Sequence, residues 1–217
     1  MSEATTLDDT HGRLSAGENL SVEETRGAKD HVMSGRVDEP QIALLLTALA
    51  AKGETVDEVA GAAMSLRQHM TRIRTARTGL VDTCGTGGGG SKTFNISTTA
   101  ALVAAAAGAP VAKHGNRSVT SRTGSADVLS ELGVNIEASV EQVEACLDEL
   151  GVCFCYARLQ HPAMKHVANV RKELGARTIF NVLGPLANPA GAEHQLLGAG
   201  LPHLRPLLAG AIQKLGS

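Results

Sequence analysis

The chain has 217 residues and a formal net charge of −2 at pH 7, room for one domain or a domain plus a small appendage. Its 43% hydrophobic and 19% charged residues exclude a chain disordered by charge and give no electrostatic support to a strongly basic nucleic-acid binder. With 2% aromatics, no Trp and 24 Gly, the core is expected to be aliphatic and the turns tight.

Residues 1–20 show no clear periodicity and read as a flexible arm. They are polar and acidic, with Glu3, Asp8 and Asp9, and lack the apolar core of a signal peptide. Three helix starts with capping patterns follow. Ser21 with Glu24 opens a helix ending near Gly35. Asp38 with Gln41 opens the apolar helix 41–52, which Gly53 stops. Thr55 with Glu58 opens a helix of about 18 residues, with Val59, Ala62, Ala63, Leu66 and Met70 at helical spacing. Residues 21–75 thus read as a helical domain.

The pattern changes near Gly79. Leu80 to Asp82 reads as a short strand, followed by a Gly-rich loop at 85–90 and a helix at about 96–107. Pro110 to Ala112 is the next strand, leading into a polar loop from Lys113 to Ser125. Helices are expected around 126–132 and from the Ser139–Gln142 cap to Leu150. Val152–Tyr156 is a strand, 163–174 a helix, 195–198 a strand and 204–215 a last helix. Alternating strands and helices predict an α/β fold with a mainly parallel sheet over 76–217, and 163–190 is expected to pack toward the helical domain. No window of about 18 apolar residues suggests a membrane span. Cys84, Cys146, Cys153 and Cys155 form no C-x-x-C pair and read as free thiols in a cytoplasmic protein.

Three segments could carry chemistry. The loop Asp82-Thr83-Cys84-Gly85-Thr86-Gly87-Gly88-Gly89-Gly90-Ser91 lies between a strand and a helix. Its bare N–H groups and the helix N-terminus suit phosphate oxygens. It fits neither the dinucleotide fingerprint, for want of an acid about 20 residues on, nor the P-loop, where Lys92 comes one position late. Asn95, Ser97 and Thr98 either cap the next helix or extend this cradle toward phosphate or magnesium. Lys113-His114-Gly115-Asn116-Arg117 crowds donors into a loop at a strand's carboxyl end, where ligands bind in open sheets. Arg171 to Pro189, taken alone, reads as a helix end and a Pro/Gly loop.

Taken together, Gly85-Thr86-Gly87-Gly88, Asn95-Ile96-Ser97-Thr98, Lys113-His114-Gly115-Asn116-Arg117, Gly124-Ser125-Ala126-Asp127, His161-Pro162-Ala163-Met164-Lys165 and Arg177-Thr178-Ile179-Phe180-Asn181 resemble the anthranilate phosphoribosyltransferase family. The resemblance covers nearly all of the chain from about Leu14. It implies a small helical domain plus an α/β domain of the nucleoside phosphorylase and phosphoribosyltransferase type. It implies a homodimer that joins anthranilate to phosphoribosyl pyrophosphate, with Mg2+ on the leaving pyrophosphate. Donor-binding residues would be Gly85, Thr86, Gly87, Gly88, Thr93, Asn95, Ser97, Thr98, Lys113, Thr120 and Ser121, with Ser97 the metal contact. Gly85, His114, Asn116, His161 and Arg171 would serve anthranilate, Arg171 holding its planar carboxylate. No residue is expected to act as a strong general base. The chain departs from the family pattern at Gly89, where an Asp is usual, and it stops before the family's Asp-Glu metal pair. An incomplete sheet and a C-terminally truncated chain are therefore expected, with an inactive fragment or a non-catalytic paralogue as the alternative.

Overall fold

The computed structural model describes residues 7–87, 94–118 and 123–216. Four helices come first: α1 (Leu7–Ser15), α2 (Val22–Met33), α3 (Glu39–Lys52) and α4 (Val56–Gln68). Then follow β1 (Val81–Gly85), α5 (Ile96–Ala106), β2 (Val111–Gly115), α6 (Ser125–Glu131), α7 (Val140–Leu150) and β3 (Val152–Tyr156). The short α8 (Ala157–Gln160), α9 (Lys165–Leu174) and short α10 (Phe180–Leu183) precede β4 (His194–Gly198) and α11 (Leu204–Lys214). Among the described residues the chain separates into two compact units. One gathers Met1–His69, Pro162–Leu183 and Arg205–Ser217; the other gathers Met70–His161 and Gly184–Leu204. The segment 163–190 thus divides at Leu183. No described helix is long and apolar enough to cross a membrane.

The helical unit is built on its caps. Ser21 Oγ accepts the Glu24 N–H while the Glu24 carboxylate accepts the Ser21 N–H. Thr55 and Glu58 repeat the arrangement. Each box satisfies two N–H groups that a helix start leaves without intrahelical partners. Asp38 caps α3 by accepting the Gln41 N–H, and Gly53 ends it at φ 87°. Helix α4 runs 13 residues rather than about 18. The Thr71 N–H bonds to the Gln160 carbonyl instead of continuing the helix, so Met70 falls outside the buried stripe.

The N-terminal arm needs correction. Residues 7–15 form a helix, and Leu14 and Leu20 are buried. The Leu20 N–H donates to Glu58 Oε1 at 3.0 Å. Glu58 is fully buried and also accepts from the Thr55 N–H and the Lys52 ammonium. Periodicity could not reveal α1, because its two buried positions are Thr10 and Leu14, one of them polar.

The other unit holds a parallel sheet in the order β3-β2-β1-β4. Its core is aliphatic, as expected: Ile73, Leu80, Ala112, Val143 and Leu147 pack with Cys153 and Cys155. Ala126, Leu129, Ile136 and Tyr156 form a second cluster. All four cysteines are free; Cys84, Cys153 and Cys155 are buried and Cys146 is exposed. The larger correction is at β2. The expected polar loop from Lys113 begins three residues later, at Asn116, because β2 runs through Gly115 with Lys113 and His114 both buried. Their polar atoms find partners inside the unit, so their polarity does not end the strand.

Candidate active site

The carboxyl ends of β1 and β2 lie side by side and finish at Gly85 and Gly115. At both places glycine is required by space. A Cβ at Gly85 would stand 2.9 Å from the Gly198 carbonyl oxygen of β4, and one at Gly115 would collide with the Ser125 hydroxyl. Thr86 continues the turn: its N–H donates to the Gly198 carbonyl at 3.0 Å and its hydroxyl accepts the Gly200 N–H at 3.0 Å. Gly87 has φ 68°, a conformation that favours glycine. Gly88, Thr93, Thr120 and Ser121 lie outside the described residues.

Helix α5 starts at Asn95, whose side chain does not cap it. Instead Asn95 Nδ2 donates to Thr123 Oγ1 and to the Gly124 carbonyl, both at 3.3 Å. The start of α5, reached from the Gly-rich loop, is thereby tied to the end of the loop that leaves β2. Ser97 and Thr98 fill the first turn of α5, Thr98 being buried. The Ser97 carbonyl accepts from Thr83 Oγ1 at 2.6 Å, which seats the helix start on β1.

Asp127 organises the second loop from both ends. It accepts the Ser118 N–H at 3.0 Å and the Gly124 N–H at 2.8 Å, and it pairs with Arg117 at 2.9 Å. Those N–H donors hold its carboxyl below the usual range. Asn116 follows β2 directly and is exposed, with its carbonyl accepting the Ala126 N–H. Sequence reasoning gave Asp127 no role, although its place three residues after Gly124 is that of a capping-box acid.

Two buried polar groupings stand behind these loops. Lys113 Nζ donates to the Thr83 carbonyl at 2.5 Å. Burial lowers its pKa, and the Asp82 carboxylate counters that by favouring the charged form. The second centres on Asp82, which is fully buried and accepts the His114 N–H at 3.1 Å and Gln195 Nε2 at 3.3 Å. Gln195 also donates to the Pro185 carbonyl at 2.7 Å, and Asn188 donates to the Ala112 carbonyl at 2.8 Å. His114 Nδ1 lies 3.1 Å from the Gly184 carbonyl, and its Nε2 lies 3.2 Å from His161 Nε2. Burial pushes the two histidines down to about 4 and about 3. Asp82 and Gln195 were not singled out from sequence; nothing in a strand pattern shows that their amide and carboxylate meet.

Arg171 lies in the helical unit, half-buried on α9, with its guanidinium 5.5 Å from the Phe180 ring centroid. Burial lowers its pKa. Lys29 of α2 faces the same ring at 4.6 Å. The sheet unit therefore brings together Gly85, Thr86, Asn95, Ser97, Thr98, Lys113, His114, Asn116 and His161, while Arg171 belongs to the other unit.

The donor set bears on magnesium. Among the described residues no three His, Cys, Asp or Glu side chains gather as a metal site. Mg2+ is a hard cation that keeps several waters and is often bound through substrate phosphates rather than in an all-protein cage. A single hydroxyl such as that of Ser97 fits an ion brought in on a pyrophosphate.

Two family models match the chain. The helical bundle domain of a glycosyl transferase family matches residues 10–70, and the a/b domain of a glycosyl transferase family matches residues 77–217. The anthranilate phosphoribosyltransferase of Rhodopirellula baltica is 52% identical over 206 residues, 95% of this chain and 60% of that protein. That of Pelotomaculum thermopropionicum is 53% identical over 94% of this chain and 59% of its own length. The chain thus spans about 60% of the length of these curated relatives. Among solved structures, anthranilate phosphoribosyltransferase from Thermus thermophilus superposes with a TM-score of 0.90 at 47% identity, covering 96% of this chain and 64% of that one. The Saccharomyces cerevisiae enzyme in complex with PRPP and Mg gives a TM-score of 0.89 at 30% identity, over 99% of this chain and 63% of that one. With the a/b model matched over more than half of its residues and the helical-bundle model over its first part, the chain belongs to this glycosyl transferase family.

Proposed function

We propose that the chain carries out, or supplies much of the site for, phosphoribosyl transfer to anthranilate, joining the aryl amine to the ribose carbon of phosphoribosyl pyrophosphate as pyrophosphate leaves. The observation that carries this reading is the Asn95 bridge. It ties the start of α5 to the end of the β2 loop, on the carboxyl side of the parallel sheet. That is where open α/β sheets bind ligands. The relatives' shared activity and the yeast enzyme's complex with PRPP and Mg support it.

In this reading, negative charge grows on the leaving pyrophosphate as its bond to ribose breaks. Donors for that charge would come from the loop at Gly85, Thr86, Gly87 and Gly88, where the Thr86 N–H is itself held by the Gly198 carbonyl, and from the first turn of α5. Lys113 would add a full positive charge, held in place by the Thr83 carbonyl. Thr93, Asn95, Thr98, Thr120 and Ser121 complete the proposed donor site, with Ser97 Oγ as the protein's contact to Mg2+. When bound, Mg2+ would neutralise leaving-group charge. On the acceptor side, Arg171 would grip the anthranilate carboxylate as a planar, bidentate donor, with Gly85, His114, Asn116 and His161 around the amine and ring. Association as a homodimer belongs to the same proposal, and light scattering on the purified chain reads it.

Anthranilate fluorescence tests the activity. A steady loss that requires both phosphoribosyl pyrophosphate and Mg2+ is expected. If the chain neither consumes anthranilate nor binds the donor, the reading fails, and salt-sensitive binding of single-stranded DNA in its place would favour a non-catalytic relative.

A further inference from the structure

Asp82 is fully buried on β1, and its two carboxylate oxygens bind different strands. Oδ1 accepts the His114 N–H of β2 at 3.1 Å, and Oδ2 accepts Gln195 Nε2 of β4 at 3.3 Å. Gln195 is the register partner of Asp82, and its Nε2 also donates to the Pro185 carbonyl at 2.7 Å, which fixes the amide. Both donors to Asp82 are neutral, so they satisfy its oxygens without cancelling its charge. A carboxylate buried in this way is costly unless a cation lies near it. Lys113 is that cation, and the Asp82 carboxylate favours its charged form. Lys113 immediately precedes His114, so β1 holds it at two points. Asp82 takes the next N–H along β2, and the Thr83 carbonyl takes the ammonium at 2.5 Å. The other titratable groups acting here are Cys84 of β1 and His114 of β2, while β4 contributes the uncharged Gln195. Burial pushes the Cys84 thiol up and the His114 ring down to about 4, so both are neutral near pH 7. That leaves Asp82 as the full negative charge acting on Lys113.

We propose that Asp82 is a positioning residue for the transfer, the buried counter-charge that anchors the Lys113 ammonium for the donor's pyrophosphate. The task given to Lys113 rests on the function proposed above; its anchoring by Asp82 does not. Asp82 touches no substrate in this arrangement and acts only through Lys113. A neutral amine brings no charge to the leaving group, and burial by itself drives Lys113 toward that form. The carboxylate opposes this from a fixed place on the neighbouring strand, so the positive charge is in position before the donor arrives. An amide at position 82 keeps an acceptor for the His114 N–H and removes the charge, which separates the electrostatic role from the structural one.

Two measurements test this. The first follows the Lys113 side chain by lysine 13Cε NMR without ligand, its signal assigned by its loss in Lys113→Met. A charged ammonium is expected in wild type at pH 7.5. In Asp82→Asn the titration midpoint is expected about one pH unit lower, the scale of one neighbouring charge removed. A neutral amine in wild type at pH 7.5 overturns the proposal, even where Asp82→Asn does not fold, and so does an unshifted midpoint in a folded Asp82→Asn. The second measurement titrates phosphoribosyl pyrophosphate with Mg2+ into each protein by calorimetry at pH 6.5 and pH 9. The donor's own ionisation is common to all of them. Asp82→Asn is expected to weaken binding about tenfold at pH 9, the equivalent of one unit of midpoint, and less than about threefold at pH 6.5. Added to Lys113→Met, the same change is expected to cost less than about twofold at either pH. A loss of equal size at both pH values, or one undiminished in Lys113→Met, gives Asp82 a structural role only and overturns the proposal. Wild-type protein that binds no donor overturns the functional reading and the task assigned to Lys113, while the NMR titration still decides whether Asp82 sustains its charge.

Discussion

Lys29 is the residue whose chemistry sits least easily with its surroundings. It is fully buried on α2, its ammonium faces the Phe180 ring, and Nζ has no hydrogen-bond partner among the described residues. Desolvation pulls its pKa down to about 7, with Arg171 lowering it further and Glu54 opposing. The unfolded chain binds this proton up to about pH 10.4. Between pH 7 and 10 the unfolded state therefore holds more protons, and stability rises with pH across that window. Lys29→Met is expected to raise stability near pH 7 by on the order of 2–4 kcal/mol and to flatten the rise. Urea unfolding of both proteins at pH 7 and pH 9.5 measures it; an unchanged slope with pH would mean that the amine stays charged in the fold. Arg171 yields a second test at this scale. Arg171→Ala should weaken anthranilate binding at least tenfold, the scale of losing a charged, bidentate pair, and leave donor binding nearly intact. Equal loss of both ligands in calorimetry would show that Arg171 does not serve the acceptor.

At the scale of elements, the capping boxes were legible because their spacing is local. Ser21 with Glu24, Thr55 with Glu58 and Ser139 with Gln142 each form the predicted reciprocal pair. What spacing could not show is that Glu58 also reaches the Leu20 N–H and the Lys52 ammonium while fully buried. Removing one partner of a buried, hydrogen-bonded charge is strongly destabilising, so Glu58→Ala should cost about 3–5 kcal/mol, read as a lower urea midpoint. Glu58→Gln keeps most of the acceptor geometry and should cost less. Asp127 has the equivalent place in the β2 loop, bonded to the Ser118 and Gly124 N–H groups. Asp127→Ala is expected to lower affinity for phosphoribosyl pyrophosphate about tenfold. A donor affinity equal to wild type would separate this loop from the donor site.

For the whole molecule, acid is the informative variable. His114 and His161 titrate near 4 and 3 in the fold and near 6.5 when unfolded. Above about pH 6.5 both states are neutral at these rings and nothing depends on pH. Below it the unfolded chain takes up protons that the folded chain refuses, so stability falls as pH drops from about 6.5 toward 4. The slope approaches about 1.4 kcal/mol per pH unit for each histidine. Denaturant midpoints across pH 4–7, compared with His161→Phe, should show roughly half of this loss removed. If the variant follows the wild-type curve, the rings are protonated in the fold and the pair is not neutral.

Sequence alone determined the order and kind of the main elements from Ser21 onward, because capping spacing, glycine stops and strand–helix alternation are local signals. It also marked Gly85, Asn95, Lys113, His114 and His161, through a resemblance carried by short motifs. Tertiary structure decided what local signals do not hold. It folded residues 7–15 onto a buried Leu14, and it drew Lys113 and His114 into a strand whose interior satisfies them. It joined Asp82, Gln195 and Pro185, residues up to 113 positions apart. A hydrogen bond between distant segments leaves no periodicity in either one, so only folding shows which of these groups meet.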